Sequence, residues 1–129
     1  MAENKHTPGP WSACDGGKCR CKHVSCEDHP IAKVISGEWG DPGFPYGSVD
    51  EAVAIANARL IAAAPDLLAA CELQEHADRL RTVWLCNQAV PGYDSSEDRR
   101  AWHEALGLAE EARRAAIAKA RGNDVPVDA

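Results

Sequence analysis

Large apolar side chains are scarce in this sequence. Only 5% of its 129 residues are aromatic although 45% are hydrophobic, with one Phe and one Met. Much of the apolar fraction is alanine, so any core must come from close backbone approach, because each side chain buries little area. Long hydrophobic runs are absent too. Leu60–Ala64, the nearest candidate, stops at Pro65 and Asp66, far short of the ~18 apolar residues of a membrane span. Basic excess is likewise missing: 14 Lys and Arg face 20 Asp and Glu, a net charge of −6. That balance argues against generic binding to a phosphate backbone and permits binding to a basic surface, including the nucleic-acid channel of another protein. Arg99, Arg100, Arg113, Arg114 and Lys119 read as the solvated face of an amphipathic helix among its glutamates. There is no phosphate-binding glycine loop with its lysine, and no serine on a strand–turn–helix elbow. Met1–His6 lacks the apolar stretch of a secretory leader, so a cytoplasmic location is expected.

Four segments follow from the punctuation of the chain. Residues 1–10 form an extended lead, with Pro8 and Pro10 opposing helix. Residues 11–47 carry strand signals at Trp11–Cys14, Cys19–Ser25 and Ile31–Ile35, with turns at Asp15–Lys18 and Glu27–Pro30. They predict a small three-stranded antiparallel meander, followed by a loop whose Trp39, Phe44 and Tyr46 lid it. Residues 48–122 are helical and 123–129 a loose tail. Ser48 and Glu51 make a capping box, predicting a first helix over Val49–Ala64 with Val49, Val53, Ala56, Leu60 and Ala63 inward. A second helix runs from Pro65 to Gln88, with Leu73, Ala77, Leu80 and Trp84 on one face. After a break at Val90–Asp94, Ser95 or Ser96 caps a third helix that ends at Gly122. Its seam is Trp102, Ala105, Leu106, Ala109, Ala112, Ala116 and Ala120. The short connection makes the last two helices a long antiparallel hairpin, and the fold class α+β. Gly107 inside the third helix reads equally as a close contact or as simple tolerance.

Six cysteines fall into two groups. Cys14, Cys19, Cys21 and Cys26 crowd the meander, and in a reducing compartment such a cluster suggests metal before disulfide. Strand alternation puts Cys19, Cys21 and His23 on one face, and a tight hairpin would set Cys14 opposite Cys19. Cys14, Cys19 and Cys21 with one of Cys26, His23 or His29 could then hold a structural zinc. Unligated thiols and a Cys14–Cys19 disulfide compete with that reading. Cys71 is expected in the helical core, with Cys86 packed or partly exposed. Cys71 and His76 sit on different helix faces, and His103 with Glu110 fits a solvated face, so no enzyme is expected. Arg59 is expected to lie over the sheet, with Asn57 bonding the adjoining loop. Leu85, Leu108, Ala115 and Ile117 leave apolar surface off the hairpin seam, which predicts a homodimer or a partner protein.

The blocks His6–Trp11, Asp28–Ala32 with Gly37–Asp41, and Ala56–Leu68 resemble small bacteriophage and prophage proteins. The resemblance covers roughly residues 6 to 72, so the hairpin beyond reads as this chain's own elaboration. It implies expression inside a bacterial host and no particular reaction. The expectation is a non-catalytic accessory protein that binds a host protein and interferes with a host or defence process. A zinc-stapled nucleic-acid-binding module, using Lys18, Arg20, Lys22 and Lys33, is the alternative. A metal-dependent enzyme comes third.

Overall fold

The computed structural model describes residues 6–14, 23–26, 29–33 and 51–123. Three strands, β1 (Ser12–Ala13), β2 (His23–Cys26) and β3 (His29–Lys33), precede three helices, α1 (Glu51–Ala62), α2 (Ala64–Gln88) and α3 (Ser96–Arg121). The strands pair antiparallel in the order β1-β2-β3, as the α+β reading predicts. Two compact units result, residues 1–65 with 117–129, and residues 66–116.

In the first unit Ser12 pairs with Ser25 and Ala13 with Val24, a register offset from the one a four-residue turn at Asp15–Lys18 would set. β3 starts two residues before the predicted Ile31 and contains Pro30. It lies at the sheet edge, where a residue without an N–H is tolerated. The register slips between Val24 and Ser25, whose partners are Ala32 and Pro30, leaving Ile31 as the extra residue of a bulge.

Val24 is the only large side chain fully buried among the described residues. It packs with Ala58 and Ala62 of α1, flanked by Trp11, Ala13, Ile31, Ala32 and Ile61. This corrects the inward face expected for the first helix. Ala54, Ala58, Ala62 and Ala63 are buried, whereas Val53 and Leu60 are more than half exposed. Small side chains let the α1 backbone approach the sheet closely, and that contact selects the alanine face over the larger residues. The predicted cap at Ser48 and the aromatic loop of Trp39, Phe44 and Tyr46 lie outside the described residues.

The lead segment is held against this core. The Trp11 indole N–H donates to the Thr7 carbonyl at 3.1 Å, and the Gly9–Pro10 peptide is cis. A Cβ on Gly9 would stand 2.8 Å from the Cβ of Pro65, so only glycine lets the lead lie on that proline. Pro65 also supplies no N–H to continue α1, which accounts for the break at Ala63. α3 ends in this same unit with a Schellman motif. Asn123 N–H reaches Ala118 O at 2.8 Å, Gly122 N–H reaches Lys119 O at 3.0 Å, and Gly122 has φ 75°. The Arg59 guanidinium occupies the space a Gly122 side chain would need, within 2.7 Å of its ideal Cβ. Arg59 thus sits at the negative end of α3 rather than over the sheet.

The second unit is the hairpin. Trp84 and Trp102 stack at 5.1 Å with planes 15° apart, and Asn87 donates to Asp98 at 2.9 Å. Stepping one heptad from the tryptophans brings Ala77 level with Ala109, and a second step brings Ala70 level with Ala116. All four alanines are buried. Between these layers the seam carries Leu73 and Leu80 on α2 and Ala105 and Ala112 on α3, so large residues alternate with small ones along it. Alanines at the closest layers allow interaxial distances at the short end of the usual ~8–10 Å. Leu106 and Ala120, also placed on the seam by sequence, are half-buried.

Candidate functional site

The cysteine cluster is the first candidate. β1 and β2 position Cys14 and Cys26, both half-buried. Cys26 is a thiol outside any disulfide and donates to the Pro8 carbonyl at 3.3 Å. Cys19 and Cys21 lie outside the described residues. His23 and His29 are backbone positions of β2 and β3. Continuing the β1–β2 register one step brings Cys14 level with position 23, not with Cys19. Cys26 pairs with position 29. Among the described residues no three His, Cys, Asp or Glu side chains converge as a metal group.

Cys71 and Cys86 are both exposed thiols. The core location expected for Cys71 is not observed, because the α2 seam uses Ala70, Leu73, Ala77, Leu80 and Trp84. One residue's step of about 100° carries Cys71 off it. His103 is exposed and meets only the edge of Trp102, with ring centroids 4.7 Å apart. Arg81 lies 5.9 Å over the Trp102 ring, a cation–π contact that closes the hairpin end. The Tyr93 hydroxyl has its pKa raised, first by its hydrogen bond to Asp98 and then by that carboxylate's charge.

The second candidate is the outer surface of the hairpin. Leu85, Leu108, Ala115 and Ile117 are all exposed. Leu108 and Ala115 are seven residues apart and share one face of α3. Ile117, nine residues from Leu108, lies on the opposite side of that helix. The four residues are thus exposed without forming one stripe. Sequence reasoning passed over the residues that complete the Leu108 line. Glu97, Ala101, Glu104, Leu108, Glu111 and Ala115 recur at alternating steps of four and three, the spacing of a heptad seam. All six are exposed. The legible signal was the glutamates at seven-residue intervals, which pass for ordinary solvated charge.

Among the described residues no single helix is long and apolar enough to cross a membrane. A three-stranded mini-sheet, an alanine-packed helix upon it and a long helical hairpin make up a small α+β protein. The chain belongs to the family of Salmonella phage P22 protein Y8K6, whose model matches residues 1–124. The match runs through both hairpin helices, so the hairpin is part of the family and not an addition to it. No curated protein and no solved structure matches the chain.

Proposed function

We propose that this phage protein is a non-catalytic binding module that engages a host protein and interferes with a host or defence process. The observation that carries the reading is the partition of apolar residues on the hairpin. Alanines fill the buried seam, while Leu108 is 59% exposed and Val83 and Leu85 are each over 40% exposed. A helical pair that needs so little apolar surface for its own packing keeps the remainder for a partner. The phage family supports action within an infected cell. The test is affinity capture from bacterial host lysate with mass spectrometry, repeated with purified candidates. One host protein retained in near-stoichiometric amount and binding directly is expected. Reproducible absence of any direct binder from competent host lysates overturns the reading.

A structural zinc is the second proposal, supported by four cysteines crowded into thirteen residues of the sheet region. The set is Cys14, Cys19, Cys21 and Cys26, with His23 or His29 as alternates for the fourth ligand. Such a metal would staple a sheet that has few large side chains of its own.

A further inference from the structure

We propose that the Glu97–Ala115 line of α3 is a docking stripe for a basic amphipathic helix of a partner protein. This rests on the binding-module reading above and names the chemistry of its partner. Ala101, Leu108 and Ala115 form the apolar row, and Glu97, Glu104 and Glu111 the acidic row beside it. By helical phase, Ala69, His76 and Val83 of α2 flank the same side of the hairpin, so the stripe borders a shallow groove between the two helices. Ala69, His76 and Val83 are exposed as well.

Charge selects the occupant. Glu104 and Glu111 have no ion-pair partner among the described residues, in contrast to Glu75, which holds Arg79 at 2.6 Å. Arg79, the cation of α2 on this side by helical phase, is therefore already engaged, and Arg100 and Arg114 of α3 border the acidic row on its far edge. An incoming helix with Leu or Ala along its seam and Lys or Arg on the flanks would cover Leu108 and meet each glutamate in turn. A second copy of this chain is a poor occupant, because an antiparallel two-fold contact centred on Leu108 sets glutamate against glutamate. The acidic row equally opposes a phosphate backbone.

The test uses the full chain and a synthetic helical peptide with a Leu/Ala seam flanked by lysines, followed by fluorescence anisotropy at low and high salt. Saturable binding that weakens with salt is expected. The triple variant Glu97→Gln, Glu104→Gln, Glu111→Gln and the single variant Leu108→Glu should each weaken it by about tenfold or more. Thr82→Ala, exposed on the back of α2 and off the stripe, should bind as the parent does, and circular dichroism of each variant checks that the hairpin is intact. A peptide with glutamate flanks should not bind. No saturable binding of the lysine-flanked peptide, or equal binding by all folded variants, overturns the stripe, as does a dimer in light scattering that Leu108→Glu dissociates. Host-protein capture separates the two readings: retention of the partner by the folded Leu108→Glu variant removes the stripe and leaves the binding module standing.

Discussion

Asp94 shows how one side chain supports the start of a helix whose first backbone bond, Arg99 N–H to Ser95 O, makes Ser95 the cap. The Asp94 carboxylate accepts the Ser96 N–H at 3.0 Å and also the Ser96 hydroxyl. These bonds hold its pKa below the ordinary carboxylate value. A depressed folded pKa gives stabilisation that is present above the unfolded pKa and lost as pH falls through the folded one. Asp94→Ala should therefore lower Tm near neutral pH, with the gap to the parent closing on acidification below the usual carboxylate range. Equal gaps at both ends of that titration would show that the carboxylate charge is irrelevant. Glycines give the second test at this scale. No atom lies within 4 Å of a Cβ built on Gly107, which settles its role as tolerance rather than close contact. Gly107→Ala should stabilise the chain by about 0.5–1 kcal/mol, read as a higher denaturant midpoint at constant slope. Gly122→Ala should destabilise by about 1–2 kcal/mol in the same assay, since alanine must take φ 75° and displace the Arg59 guanidinium.

Among the elements, the hairpin was the most legible. Its seam repeats every three and four residues, and the Pro91-Gly92 turn leaves one way back. Tyr93 N–H bonds to Val90 O at 3.2 Å and Gly92 has φ 78°, as a type II turn requires. The closeness of the helices depends on volume at the alanine layers. Ala109→Leu should cost about 1–3 kcal/mol by forcing the axes apart, whereas Ala115→Leu, on the exposed line, should stay within about 0.5 kcal/mol. Chemical denaturation of both variants compares them directly. Equal effects would mean the seam is loosely packed. α1 was misread because size ordinarily marks the buried face, and here Val24 leaves room only for alanine opposite it. The meander was right in kind but not in register, because turn signals at Asp15–Lys18 say where a chain can reverse, not which residues then pair.

At the level of the whole molecule, described residues from the blocks that carry the phage resemblance meet in the first unit. Gly9 lies on Pro65, and Trp11, Ile31 and Ala32 pack against the cluster of Val24, Ala58 and Ala62. Packing accounts for these residues, which record how the fold closes. That is why function was harder to read than architecture: the outward Glu and Ala positions are individually unremarkable, and only the helical phase aligns them. The metal proposal is tested at this scale. The purified chain should hold about one zinc, Cys14→Ser and Cys21→Ser should lose it, and Cys71→Ala should keep it. Zinc content well below half an equivalent after zinc-supplemented expression would remove the staple.

The parallel indoles of Trp84 and Trp102 have an optical consequence. Two chromophores 5.1 Å apart couple their excited states, giving a paired positive and negative band in circular dichroism that an isolated indole lacks. Trp11 stands against the sheet and makes no such pair with another described tryptophan, so Trp11→Phe should leave the couplet unchanged. The couplet is thus a native, unlabelled reporter of hairpin closure, and its loss on heating marks the melting of the second unit.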